Sequence, residues 1–214
     1  MKKVLLLALC AVSPWAAAWT SGGGPLFESI HQTAIEHVLG SSGLRPEELQ
    51  LLESEQTRID LDQRADQSQE HSMTGVMHGD HYSEELRQAY ITRTEILLRN
   101  NFASGIALRI AGHSSDALKS LAVALHALQD ATSPAHEGFQ PWSDDFGLWE
   151  MIRHALKERA YPSDGADKRN LEGVVLFAYD IYCSKIPAPT AFFDHATGML
   201  LLPKVYLTLK KVPQ

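Results

Sequence analysis

The stretch from Ser114 to Pro134 constrains this chain more than any other. Leu118, Leu121, Leu125 and Leu128 recur at three- and four-residue spacing, so they fall on one face of a helix. Ser114-Ser115-Asp116 offers capping residues at its start, and Pro134, which cannot extend the backbone ladder, stops it. Such a helix must bury its leucines against other elements. Leu26, Ile30, Ala34, Ile35 and Val38 form a second helical pattern that ends at Gly40, and Leu86, Tyr90, Ile91 and Leu97 form a third. Further helices are expected from Phe146 to Glu158, from Leu171 to Tyr182, and from Ala191 onward with a break at Pro203. Alternating β-patterned runs bounded by turn signals are missing. The pattern predicts an all-α, single-domain multi-helix bundle.

The N-terminus reads as a secretory leader over residues 1–18. Met1-Lys2-Lys3 is cationic, Val4 to Val12 is a short apolar run, and Ala16-Ala17-Ala18 is a small-residue cleavage site. The apolar run falls short of the roughly 18–20 residues that a spanning helix needs. A secreted or periplasmic protein follows, with one folded domain over 19–214 that begins at Trp19. Its α-amine, with a reference pKa of about 7.7–8.0, can lose its proton to a metal, and its carbonyl oxygen can close a chelate ring. Cys183 is the one cysteine outside the leader, so no internal disulfide is available and stability must come from a packed core or from metals.

Loss of Lys2 and Lys3 with the leader takes Lys+Arg from 19 to 17 against 26 Asp+Glu, a balance of −9. That argues against a protein that holds nucleic acid on a broad basic surface. Bound cations would offset part of the negative charge. All ten histidines lie beyond the leader, several of them beside acids.

Five of these histidines fall in a pattern that suits metal ligation. His126 and Asp130 are four residues apart on the strongest helix, so they project from one face and can grip one cation. His136 follows the proline stop, and His154 and Glu158 repeat the four-residue spacing. Upstream, Asp60, Asp62 and His71 add carboxylate and imidazole, and His31 lies on the apolar side of the first helix. A single His–acid pair on a helix is commonly an exposed contact worth a few tenths of a kcal/mol. Two such pairs, with further histidines placed inward, supply enough N and O donors for more than one metal, without thiolates.

The order Trp at a processed N-terminus, His, Asp, His, then His-x-x-x-Asp, His, and His-x-x-x-Glu resembles the trinuclear zinc phosphodiesterases, the bacterial zinc-dependent phospholipases C and the single-strand-specific zinc nucleases. The resemblance runs from Trp19 to Glu158 and is most specific over Ala124 to His136. It implies an all-α fold around a cluster of three zinc ions. Asp60 (or Asp62), His71, His126 and Asp130 would hold the first. His136, His154 and Glu158 would hold the second. The third would take the amine and carbonyl of Trp19, His31, and Asp130 as a bridge. Asp60 is preferred over Asp62 on spacing and would be the general base. His37, His78, His81, His113 and His195 match nothing in the pattern, and His78 and His81 are expected at a site mouth.

The resemblance implies hydrolysis of a phosphodiester. A phospholipid at a membrane surface is the first choice of substrate, because the acidic balance and lack of disulfides are more like the lipases. Single-stranded nucleic acid is the second choice, with Phe139, Trp142, Phe146 and Trp149 as candidate stacking residues that the sequence equally allows as core or as a lipid-facing rim. A non-catalytic zinc-binding protein is the third reading. A monomer is expected.

Overall fold

The computed structural model describes residues 30–62, 64–143, 145–147, 149–150, 153–154, 162 and 165–208. Trp19 and Glu158 lie outside them, as do Leu26 and most of the expected helix between Phe146 and Glu158.

Helices α1 (Ile30–Leu39), α2 (Pro46–Asp60), α3 (Glu84–Ile110), α4 (Ser114–Asp130), α5 (Gly165–Tyr182) and the short α6 (Lys204–Leu207) make an all-α single domain. Helix α4 is its axis: α2, α3 and α5 all pack on it, and every residue from Ala124 to Asp130 is buried. A helix buried on all sides at its last turn has no room for unsatisfied polar groups. His126, Gln129 and Asp130 are nonetheless there. The core around them is apolar, with Ile35, Leu52, Ile59, Leu98, Phe102, Leu121, Leu125, Val174 and Ile181 all close to fully buried.

Helix α2 has no clean apolar period, and its local signals explain its start. Pro46 occupies the first turn, and Arg45 and Glu48 form a reciprocal capping box, with Arg45 N–H donating to the Glu48 carboxylate at 3.0 Å. Helix α3 starts at Ser83, whose hydroxyl accepts from the Leu86 amide. Helix α4 begins at Ser114 as expected, but its N-cap is His113, which makes no side-chain cap bond.

One expectation needs correction. The segment from Ala191 to Pro203 is not helical. Its apolar residues Phe192 and Phe193 are buried by a local antiparallel bridge between Phe193 and Leu200. The Glu95 carboxylate accepts from the Phe192 and Phe193 amides at 3.0 and 3.3 Å, taking the place of helical acceptors, and Gly198 turns the chain at φ 72°. Pro203 then caps α6 rather than breaking a longer helix.

Extended structure is slight, as an all-α fold requires. Strands β1 (Thr74–Val76) and β2 (Pro141–Ser143) form one short parallel pair, with Thr74 opposite Pro141. Two three-residue strands carry too little alternation to be read from sequence. Their pairing has a local consequence, because it joins the segment just after His71 to the segment just after His136. Gly75 allows the approach: a methyl group there would collide with the Ala65 carbonyl and the Tyr90 hydroxyl.

Candidate metal centre

Three helix termini and two turns converge on the last turn of α4. His31 enters from the buried face of α1, Asp60 is the last residue of α2, and His126 and Asp130 come from α4. His71 ends a 3-10 helix, Ala65–His71. The next residue, Ser72, takes a left-handed conformation (φ 50°) and donates its hydroxyl to the Ala127 carbonyl at 2.7 Å, which ties the turn to α4. His136 arrives through the turns that follow α4, where the Ser133 amide donates to the Asp130 carbonyl and the His136 amide to the Ser133 carbonyl.

The donor atoms are close-set. His71 Nδ1, His126 Nε2 and Asp130 Oδ2 form a triangle with edges of 3.0, 3.1 and 3.3 Å. Asp60 Oδ1 is 3.1 Å from His126 Nε2, and His31 Nε2 is 3.1 Å from Asp130 Oδ1. Asp130 therefore turns its two oxygens toward different donor sets. His136 Nε2 is 3.2 Å from His154 Nε2, a second imidazole pair beside the first group. His31, Asp60 and His126, and likewise His71, His126 and Asp130, are buried groups whose ligand atoms lie close enough together to hold a metal ion.

The imidazoles are oriented from outside. His126 Nδ1–H donates to Gln56 Oε1 at 2.8 Å, and the Gln56 amide is fixed in that sense because its NH2 donates to the Ala122 carbonyl at 3.0 Å. His31 Nδ1–H donates to Gln129 Oε1 at 3.2 Å, and Gln129 in turn donates to the His31 carbonyl. His71 Nε2–H donates to the Asp62 carbonyl at 3.0 Å, and His136 Nδ1–H to the His71 carbonyl. Each partner oxygen is an acceptor only, so each outer nitrogen carries the proton and the inner nitrogen faces the cluster. This arrangement suits metal-ligating histidines.

The electrostatics call for positive charge at the centre. Burial alone would lower the His126 pKa, yet Asp130 and Asp60 overcome it and raise the value to about 10. Burial likewise opposes ionisation of Asp130, but His126 and His136 hold its carboxyl well below the usual range. Two carboxylates and several inward nitrogens are stable together only with a proton or a metal cation among them. The buried His and Asp residues can hold metal ions.

Seven of the nine expected ligand residues are described, and all seven gather here: His31, Asp60, His71, His126, Asp130, His136 and His154. Asp60 and Asp62 part company. The Asp62 carboxylate forms a bidentate pair with Arg64 at 2.7 and 2.9 Å, and only its backbone carbonyl reaches the cluster, through His71. Gln56 and Gln129, both fully buried, were not foreseen. Of the candidate stacking residues, Phe139 belongs to the core against Phe193. Trp142 packs on His154 and Phe146, while Trp149 is 74% exposed. Among the unmatched histidines, His78 pairs with Asp145 on the surface, His37 with Glu172, and His195 approaches Glu95.

No helix among the described residues is long and apolar enough to cross a membrane. Comparison with protein-family models, with curated proteins and with solved structures finds no match.

Proposed function

We propose that the protein is a zinc-dependent phosphodiesterase, exported and processed to Trp19, that acts on phospholipids as a phospholipase C. The observation that carries this reading is the triangle of His71 Nδ1, His126 Nε2 and Asp130 Oδ2, with edges of 3.0–3.3 Å. A tetrahedral zinc with bonds of about 2.0–2.1 Å separates its ligand atoms by roughly 3.3–3.4 Å, so these donors need little rearrangement to hold one. The two-sided use of Asp130 supports its serving two ions, the second of which His31 and the Trp19 terminus would help to hold. His136, His154 and Glu158 would hold the remaining ion of three.

Bound zinc supplies a water of lowered pKa and neutralises charge on the phosphoryl and leaving oxygens. Asp60 is the group to accept the proton of the attacking water. At 8% exposure it is more open to solvent than Asp130, which is fully buried. His126 and Asp130 hold their positions on a rigid helix, and the acceptor oxygens behind the imidazoles hold the outer protons, which leaves the inner nitrogens facing the place a metal would take.

Lipid is favoured over nucleic acid by the apolar side chains left in solvent. Leu61, next to Asp60, is 62% exposed, and Met77, Tyr82 and Trp149 are exposed as well. A base-stacking platform has weaker support, since Phe139 is interior and Trp142 is already covered by His154 and Phe146. The test is a substrate panel of phosphatidylcholine vesicles and single-stranded DNA, each with and without a chelator. Chelator-sensitive release of diacylglycerol is expected. Cleavage of the DNA alone would reassign the substrate, and metal binding with no turnover of either would leave a zinc-binding protein.

A further inference from the structure

We infer that Gln56 and Gln129 are positioning residues that dedicate Nε2 of His126 and of His31 to metal, by accepting the Nδ1 proton of each ring. This rests on the metal-centre reading above and goes beyond it, because neither glutamine belongs to the ligand pattern. An imidazole has two nitrogens and can present either one. What selects between them is the partner of the other nitrogen. At His126 the selector is Gln56 Oε1 at 2.8 Å, and at His31 it is Gln129 Oε1 at 3.2 Å.

A glutamine can select a tautomer only if its own amide cannot flip. Both amides are locked. Gln56 donates to Ala122 O, a carbonyl of the same helix that carries His126. Gln129 donates to the main-chain carbonyl of His31, the residue whose ring it orients. Reversal of either amide would set an NH2 against an N–H and leave two buried groups unsatisfied. The two glutamines thus act as one-way acceptors, and because they are neutral they orient the ring without adding to the negative charge of Asp60 and Asp130. A carboxylate in the same position would make the imidazole more basic and more readily protonated, which would set protons against metal at the site.

The pairing of roles is specific. The three-residue step from His126 to Gln129 lets one helix supply a ligand and the orienting group of another ligand. Gln56, one turn before Asp60 on α2, does the same across the helix–helix contact.

The experiment compares zinc binding by the purified protein with Gln56→Met, which keeps the volume and removes the acceptor, and with Gln56→Glu, which keeps the acceptor. Zinc affinity is read by competition with a chromophoric chelator, and folding by helical circular dichroism. Gln56→Met should weaken zinc binding by about 10–100-fold, the usual range for lost orienting partners, with helicity retained. Gln56→Glu should recover most of the affinity that Gln56→Met loses. If Gln56→Met binds zinc as tightly as the parent, the positioning role is overturned while the metal centre stands. If the parent binds no zinc, the reading beneath it fails as well. Should Gln56→Met not fold, ring 15N chemical shifts of the zinc-loaded parent decide the matter. Protonated Nδ1 and zinc-bound Nε2 on both His126 and His31 support the assignment, and zinc on Nδ1 of either overturns it.

Discussion

The same chemical pair occurs twice in this molecule with opposite meanings. His126 and Asp130 are both fully buried, 3.3 Å apart, on the central helix. His78 and Asp145 are closer, at 2.9 Å, but their side chains are 88% and 54% exposed. At the surface, water screens the charges and competes for each hydrogen bond, so the pair can form and break at little cost. In the interior neither partner can be left alone, and the carboxylates demand a cation. Distance does not separate a candidate metal site from a surface contact here. Burial does, together with the fate of the far nitrogen of the ring, which at His126 is committed to Gln56.

The comparison can be broken most severely at Asp130. Asp130→Ala removes the oxygens shared by His31, His71 and His126, and should abolish metal retention and turnover. Stability should fall by about 3–5 kcal/mol, as expected when one partner of a buried ion pair is removed. Metal content by elemental analysis and a thermal melt check both effects, and near-normal values for the variant would sink the assignment. Chelation of the parent comes next. With metal at a hundredfold excess over its Kd, binding stabilises by about 2.7 kcal/mol, which is about 5–10 °C in Tm for a chain of this size. An unchanged melt with and without chelator would put the buried cluster on the same footing as the surface pair.

A sharper contrast lies between two aspartates two residues apart. Asp60→Asn should lose metal and activity, whereas Asp62→Asn should keep both, because its carboxylate serves Arg64 and its contribution to His71 is a backbone carbonyl. The smallest effect is expected at the surface pair. His78→Ala should leave metal content, turnover and Tm unchanged. The Asp145 carboxylate raises the His78 pKa above its ordinary 6.5, so whatever stability the pair contributes is present below pH 6.5 and lost as pH rises through the raised value. Asp145→Asn should return the His78 titration, followed by NMR, toward 6.5. A His78 titration that ignores Asp145→Asn would break the pairing.

What was legible in sequence follows from which forces are local. Helix α4 could be read because its leucines repeat every turn, and His126 and Asp130 because a four-residue step on a helix fixes their relative direction. Helix α2 was missed for a reason that bears on function. Its inward stripe is Leu52, Gln56, Ile59 and Asp60, so half of the positions that should carry an apolar signal carry the site instead. The choice between Asp60 and Asp62 depends on where α2 ends, and that is set by packing against α4 rather than by composition. Gln56 and Gln129 pair with residues 70 and 98 positions away, contacts for which no short spacing exists. The segment after Ala191 misled because large apolar residues in a row mark burial without specifying the backbone that delivers it.

Of the four acceptors behind the imidazoles, two are side chains and two are main-chain carbonyls, those of Asp62 and His71. The halves differ in how they can change over generations. A peptide oxygen is supplied by whatever residue occupies the position, so a substitution at 62 leaves the hold on His71 intact, and even the loss of the His71 ring would leave the carbonyl that aims His136. The glutamines have no such insurance, since one altered codon removes the acceptor. Descendants of this chain are therefore free to drift at Asp62, while the side-chain hold on the rings of His126 and His31 has two addresses, Gln56 and Gln129.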